Sequence, residues 1–261
     1  MNFSHYLPNT RKRLARFKDI INHRPVAILL PGYSIYELAD RIEDLRDCDI
    51  CYAGVNRWLP LEQDILSKID KQVSILFCAA PADWFIEDIC SYLERKEENV
   101  YIAERMDFKE FGGENLTRLY ENYNEKLLFF TSFVTEDKWP NRDFPLHILR
   151  ENSLSILTAL ITIAEPRTIV FFGADGGRIE EEGLYYKAIN EFTHPDGLRP
   201  EDSIERDTGW FNNDMMETLA RVRKTYGVRE CEIINCSERS FLEPFPRWSY
   251  NDTIKYLRRI S

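Results

Sequence analysis

The sequence predicts an α/β fold with a mostly parallel β-sheet. Apolar runs of strand length, such as Val26 to Leu30, alternate along the chain with segments whose apolar residues recur at helical spacing. An unbroken apolar run is typical of a strand that is covered on both faces, as in the interior of a parallel sheet. With 261 residues, of which 44% are hydrophobic, the chain can build one large core. We therefore expect a three-layer α/β/α domain of Rossmann type.

The first half of the chain consists of strand–helix units. An N-terminal helix over residues 9–23 ends before Pro25, which cannot continue it. A strand at 26–30 then leads through a turn into a helix over 35–46. The other elements predicted in this half are strands at 49–55, 73–78 and 99–103 and helices at 61–70 and 83–95. We predict that residues 1–24 form a helical extension and that residues 25–261 form a single Rossmann-like domain.

The second half contains the least regular segments. Residues 105–126 are polar, with an expected loop at Phe111-Gly112-Gly113, and residues 178–211 are rich in charge, glycine and proline. We interpret 178–211 as a long loop or lid, because long loops in compact domains are often functional. The elements predicted around these segments are strands at 127–133, 168–172 and 232–235 and helices at 153–164, 212–226 and 250–259.

The charge balance argues against a nucleic-acid partner. The formal net charge is −10 and the isoelectric point is about 5.1, so the surface repels phosphate backbones. No apolar run reaches the length of about 20 residues that a membrane span needs, and the N-terminus lacks the pattern of a signal peptide. We therefore expect a cytoplasmic protein with no membrane span. Cys48 and Cys51 lead into a predicted strand, so we expect a buried pair and no metal site.

The residues that follow the predicted strands are the candidate binding site. Ligands of open parallel sheets bind outside the carboxyl ends of the strands. The side chains at these positions are glycines, short polar residues and one carboxylate, a set that suits a nucleotide better than an apolar ligand. The candidates are Gly32, Tyr33, Ser34, Asn56, Arg57, Gly173, Asp175, Asn235 and Ser237.

Two of these candidate segments also have plain structural explanations. Gly32 and Ser34 stand where a strand leads into a helix, and free N–H groups at a helix N-terminus can hold a phosphate. The same two residues can instead form the turn and cap the helix. The segment matches neither the G-x-G-x-x-G motif nor the P-loop, so it gives no support to an NAD site. Asn56 could bind a ribose or a base and Arg57 a phosphate, or they could form an Asx turn and a surface cation.

Asp175 and His194 are the candidate catalytic residues. Asp175 lies in a glycine-rich turn after an apolar strand, where it could hold a metal, bind a hydroxyl or act as a base, or simply stabilise the turn. His194 lies in the predicted lid, where it could be a general acid or base, although a solvated loop histidine is commoner. Asn152 and Ser153 begin the 153–164 helix and either cap it or present N–H groups to a ligand.

Four segments, in their order along the chain, resemble one known family. Leu30 to Ile35 stands where the family has an apolar strand ending in G-x-G-P-S-L, and Asn56 ends the second strand as in the family. The third match runs from Asn152-Ser153 to Gly173-Ala174-Asp175, and the fourth from Asn235-Cys236-Ser237 through Pro244 and Pro246 to Tyr250. Over residues 9–258 the chain is similar to the hydroxymethylpterin pyrophosphokinase-like Rossmann family, which is related to the Maf flagellin glycosyltransferases and more remotely to bacterial sialyltransferases.

This resemblance implies a nucleotide-handling transferase. The residues implied at the nucleotide's phosphates and ribose are Gly32, Ser34 and Asn56, and those implied at the donor and reacting centre are Asn152, Ser153 and Asp175. The chain differs from the family in lacking the first glycine of the turn. It also has Asp207-Thr208-Gly209-Trp210 where the sialyltransferase-like members have a histidine.

Three functions follow from the residues and the resemblance together. The first is a glycosyltransferase-like enzyme that uses a nucleotide-activated sugar, with Asp175 or His194 as the base. The second is a pyrophosphokinase that moves a diphosphate from ATP to a small alcohol such as a pterin, with Mg²⁺ as its cofactor. The third is a non-catalytic protein that binds a nucleotide or a protein partner. A nucleotide or nucleotide-sugar is the expected partner, and an oligomer is compatible with the sequence.

Overall fold

The protein forms one eight-stranded sheet with helices on both faces. The computed structural model describes residues 10–55, 58–78, 86–104, 113–131, 146–147, 152–176, 201–238 and 240–261. The strand order is β6-β5-β4-β3-β2-β1-β7-β8, and all seven pairings are parallel. The strands are β1 (Val26–Leu29), β2 (Cys51–Val55), β3 (Ile75–Phe77), β4 (Val100–Glu104), β5 (Leu127–Thr131), β6 (Leu146–His147), β7 (Thr168–Phe172) and β8 (Glu232–Asn235).

Eight α-helices connect or flank the strands within the described part of the chain. They are α1 (Thr10–Ile21), α2 (Ile35–Arg41), α3 (Leu59–Glu62), α4 (Ile86–Arg95), α5 (Gly113–Tyr123), α6 (Ser153–Ile163), α7 (Glu201–Tyr226) and α8 (Tyr250–Ile260). Short 3-10 turns follow three of them, at Ile42–Leu45, Leu66–Ile69 and Asn124–Lys126. Together with the parallel sheet they make the Rossmann-like three-layer α/β/α fold that the sequence predicts.

The central strands are buried on both faces, which explains their unbroken apolar sequence. Every residue of β1, β2 and β7 is buried. Ala27 and Leu29 belong to the core that includes residues of α2, α3, α4, α5 and α8, while Val26 and Ile28 belong to the core that includes residues of α1, α6 and α7. Cys48 and Cys51 are both buried, as expected, and they belong to the cores of opposite faces.

The order of the strands places a topological switch point beside β1. The chain proceeds outward from β1 through β2, β3, β4 and β5 to β6, and it then crosses back along α6 to place β7 on the other side of β1. The connections that leave β1 and β7 therefore run in opposite directions. Between such strands a crevice opens at the carboxyl ends, and this is where ligands of open α/β sheets bind.

The prediction of loops is wrong in part at two places, because the chain forms helices there that pack against the sheet. Gly113, predicted in a loop, begins α5, whose Leu119 is fully buried against the sheet. The sequence predicts a long loop or lid with little regular structure at 178–211, but its last residues, 201–211, are the start of α7. Phe211 in that stretch is fully buried, and its ring contacts Phe171 of β7. Residues 178–200 lie outside the described residues, and the two-residue strand β6 has no counterpart among the predicted elements.

The N-terminal helix α1 is held to the sheet by packing and by one buried cation. Phe17 and Ile21 belong to the core of the α6 and α7 face. Arg13 is buried, donates hydrogen bonds to the carbonyls of Asn124 and Leu127, and lies 4.7 Å from the centre of the Phe129 ring. The division of the chain into a helical extension at residues 1–24 and a single domain at residues 25–261 stays a prediction. In the part of the chain that the structure describes, no helix combines the length and the apolarity needed to cross a membrane.

Candidate functional site

The turns after β1 and β7 are in direct contact at the switch point. The Gly32 N–H donates to the Gly173 carbonyl at 3.1 Å, one step beyond the Leu30 N–H bond to the Phe172 carbonyl at 2.9 Å. A Cβ atom on Gly32 would lie 2.2 Å from the Gly173 oxygen, and one on Gly173 would lie 2.2 Å from the Leu30 oxygen. Gly173 also has a φ of +72°, which favours glycine. Both glycines are therefore required by close backbone approach.

Asp175 is held by three donors where β1 leads into α2. The Ser34 N–H donates to Asp175 Oδ2 at 3.0 Å, and the Ser34 hydroxyl donates to Oδ1. The Ser237 hydroxyl, which comes from the connection after β8, donates to the same Oδ1 at 2.7 Å. The Ser34 side chain therefore does not cap α2, as one interpretation of the sequence held, but binds the carboxylate.

Tyr250, the first residue of α8, joins the turn after β7 to Ser34 through its hydroxyl. Its hydroxyl accepts from the Gly173 N–H at 3.0 Å and lies 3.2 Å from Ser34 Oγ, to which it donates. The side chain is 2% exposed, and burial raises the pKa of the phenol well above its usual value, so the hydroxyl keeps its proton. We call Ser34, Asp175, Ser237 and Tyr250 the Asp175 cluster.

Asn235 supports the cluster through its side-chain amide. Its side-chain oxygen accepts from the Ser237 N–H at 3.1 Å, and its amide nitrogen donates to Ser240 Oγ at 2.8 Å. The Ser240 hydroxyl in turn donates to the Ala174 carbonyl at 2.6 Å. Both Asn235 and Ser240 are buried. These bonds join the connection after β8 to the turn after β7 and so determine where Asp175 lies.

Asn152 is the N-cap of α6. Its side-chain oxygen accepts from the Leu154 N–H at 2.9 Å and from the Ser155 N–H at 3.3 Å. Because α6 enters from β6 and leaves into β7, Asn152 and Ser153 lie at the carboxyl-end side of the sheet. The structure thus places both residues at the same edge of the sheet as the Asp175 cluster.

Among the described residues, the donors to the Asp175 carboxylate leave one acceptor position unfilled. A carboxylate has about four lone-pair positions. Oδ1 accepts two hydrogen bonds and Oδ2 accepts one, and no further donor among the described residues reaches them. The Asp175 side chain is half-buried, and among the described residues Oδ2 receives fewer hydrogen bonds than Oδ1. The same negative charge disfavours a phosphate at the start of α2.

The remaining predicted site residues divide into three that the structure does not describe and one that it does. Asn56, Arg57 and His194 lie outside the described residues. Tyr33 is described, and its ring is 40% exposed beside the cluster. In the described ranges, His, Cys, Asp and Glu side chains form no group of three that could hold a metal ion.

Reasoning from the sequence missed Ser240, Phe241 and Tyr250. From the sequence, Tyr250 is identified only as the start of the last helix, because fourteen residues separate it from the end of β8. Its role depends on the fold of that segment, which returns to β8 through an isolated bridge between Asn235 and Arg247. Ser240 and Phe241 carry no motif at all, and only their position against the turn after β7 reveals them.

The fold and the site define a class of protein. It is a Rossmann-like α/β protein with an eight-stranded parallel sheet and a polar cluster at its switch point. Comparison with protein-family models and with curated proteins finds no match for the chain. Its membership of the pyrophosphokinase-like family stays a prediction from the sequence.

Proposed function

We propose that this protein is a nucleotide-dependent transferase of glycosyltransferase-like type that uses a nucleotide-activated sugar. The observation that supports this proposal best is the Asp175 carboxylate, which three donors hold at the switch point with one acceptor position left on Oδ2. A fixed carboxylate oxygen at the edge of a crevice is suited to accept a hydrogen bond from a sugar or ribose hydroxyl.

The charge of Asp175 also suggests how the ligand is oriented. A phosphate would be repelled by the carboxylate, so the hydroxyl-bearing part of the ligand belongs at Asp175. The phosphates then belong further along the edge of the sheet, toward the ends of β2 and β3 and the N-terminus of α6. In the sequence Arg57 follows β2, and α6 is an eleven-residue helix whose dipole is positive at this end.

The reaction that this arrangement would serve is a simple substitution. A bond forms between the acceptor oxygen and the anomeric carbon of the sugar, while the bond from that carbon to the phosphate oxygen breaks. The acceptor hydroxyl loses its proton, and the nucleotide leaves with the electron pair of the broken bond. The remaining position on Asp175 Oδ2 is assigned to a hydroxyl of the donor, so the proton of the acceptor hydroxyl would pass to His194, the other candidate base in the sequence.

Thermal unfolding with a panel of nucleotides tests the proposal. The panel is CMP, CDP, UDP, GDP, ATP and their sugar conjugates, each with and without Mg²⁺. A ligand at about 100 times its Kd stabilises the native state by about 2.7 kcal/mol. For a chain of this size, such a gain raises the Tm by about 5–10 °C. We expect that size of shift with at least one nucleotide or nucleotide-sugar in the absence of ATP.

Variants identify where the ligand binds. Asp175→Asn and Asn56→Ala should each reduce the shift, whereas Asp40→Asn, which removes one exposed carboxylate from α2, should leave it unchanged. A shift with ATP that requires Mg²⁺ and is lost in Asp175→Asn would favour the pyrophosphokinase instead. No shift with any nucleotide would refute both enzymes and leave a protein-interaction role.

A further inference from the structure

Aromatic side chains lie exposed beside the Asp175 cluster. Three large apolar side chains of the described residues are exposed, namely Tyr33 at 40%, Met216 at 47% and Phe241 at 55%. Two of the three are close to Asp175, because Tyr33 precedes Ser34 and the Phe241 N–H donates to the Asp175 carbonyl at 2.8 Å. Exposed apolar side chains next to a half-buried carboxylate are more typical of a ligand-binding site than of the rest of a protein surface.

The backbone of Phe241 is held on both sides while its ring faces solvent. Its N–H also approaches the Gly176 carbonyl at 3.1 Å, and its own carbonyl accepts from the Asn212 amide at 2.9 Å. The side-chain oxygen of Asn212, Oδ1, accepts from the Glu243 N–H at 2.9 Å. The backbone of Phe241 is therefore fixed by hydrogen bonds to the turn after β7 and to α7, while its side chain is exposed.

Tyr33 is presented in a similar way from the turn after β1. Its carbonyl accepts from the Tyr36 N–H at 3.2 Å, and the two rings meet edge to face with their centres 5.2 Å apart. The contact leaves part of the Tyr33 ring in solvent, on the residue next to the Ser34 N–H that binds Asp175.

We propose that Phe241, assisted by Tyr33, is the platform on which the sugar ring of the donor lies while Asp175 accepts one of its hydroxyls. A pyranose ring carries hydroxyl groups around its edge and C–H groups on its faces. A carboxylate matches the edge and an aromatic ring matches the face. This inference rests on the proposed function and adds the group that recognises the sugar as distinct from the nucleotide.

Titration calorimetry on paired ligands tests the inference. UDP, GDP and CMP are each titrated beside UDP-glucose, UDP-N-acetylglucosamine, GDP-mannose and CMP-N-acetylneuraminate. We expect Phe241→Ala to weaken the nucleotide-sugar that binds by about tenfold, as lost aromatic packing predicts, and to change the affinity for its free nucleotide less than twofold. Phe241→Trp should restore the affinity. Met216→Ala, which removes the exposed side chain on α7, should change neither.

Each outcome is informative because Phe241 is exposed and its truncation should leave the fold intact, which the Tm of the variant checks. Equal weakening of nucleotide and nucleotide-sugar would overturn the assignment to the sugar. No weakening of either would overturn the platform, while nucleotide binding by the wild type would still support the proposed transferase. Absence of binding by the wild type to every probe would refute the platform and the transferase together.

Discussion

Replacing Gly32 by alanine tests the contact between the two turns that form the switch point. The added Cβ would lie 2.2 Å from the Gly173 oxygen and 2.7 Å from Asp175 Oδ2, whereas ordinary contacts of a Cβ atom begin at 3.4 Å. The first of these atoms belongs to the backbone and accepts the Gly32 N–H itself. The clash can therefore be relieved only by separating the turns, which breaks this hydrogen bond and displaces Asp175.

The size of the effect follows from these contacts. Overpacking of a rigid site costs about 1–3 kcal/mol, and the lost hydrogen bond adds about 0.5–1.5 kcal/mol. We expect Gly32→Ala to lower the free energy of unfolding by about 2–4 kcal/mol. In a protein of this size that loss corresponds to a fall in Tm of about 5–15 °C.

Gly209→Ala is the matched control. Gly209 lies in α7, and an added Cβ there would meet no atom within 4 Å. Alanine in a helix interior is favoured over glycine, so this variant should gain about 0.5–1 kcal/mol. Scanning calorimetry on the two variants and the wild type makes the comparison. If Gly32→Ala unfolded within 1 °C of the wild type, or as Gly209→Ala does, the close approach of the turns would be refuted.

Four further predictions concern one buried hydroxyl, two carboxylates and one thiol. Tyr250→Phe removes the acceptor of the buried Gly173 N–H and should lower the free energy of unfolding in urea by about 1–3 kcal/mol. Burial raises the pKa of Glu62 above 4.5, so the wild type should lose stability relative to Glu62→Gln as the pH rises through this raised value. An arginine hydrogen bond lowers the pKa of Glu87, so relative to Glu87→Gln the wild type should lose stability as the pH falls below 4.5. Cys231 alone is not fully buried among the six free cysteines, so it should react first with Ellman's reagent, though slowly, because burial raises its pKa to about 11.

Each of these predictions has an outcome that would contradict it. Unchanged stability of Tyr250→Phe would mean that Gly173 finds another acceptor. Urea unfolding between pH 3.5 and 7 should give relative slopes of opposite sign for the Glu62 and Glu87 variants, and equal signs would contradict the assigned environments. Cys231→Ser should remove the first thiol to react, and an unchanged reaction would place the accessible thiol elsewhere.

The order and type of most elements could be predicted from the sequence. The run Val26 to Leu30 contains β1, and the strand predicted at 168–172 coincides with β7. These predictions succeed because a strand buried on both faces must be apolar at every position, and that requirement is visible locally. The polar helix α5 and the first turns of α7 were missed, because their position depends on the few apolar residues that reach the core.

The rule that ligands bind at strand ends identified most members of the Asp175 cluster. Ser34, Asp175 and Ser237 all follow predicted strands, and the structure brings them within hydrogen-bond distance. The rule could not tell that Asp175 would bind Ser34 in place of a phosphate, since both arrangements need the same residue types. Their choice depends on the distance between two turns that are 141 residues apart.

The sequence by itself determined a parallel α/β fold, the burial of its central strands and the edge of the sheet at which polar residues collect. Only the tertiary structure decided which of these residues form hydrogen bonds with one another. It also decided that Asn235 supports the site and that Phe241 and Tyr250 belong to it. The physical reason is that burial is encoded residue by residue in local hydrophobicity. Hydrogen-bond partnership is a property of pairs, and the pairs form only when distant strands have taken their places in the sheet.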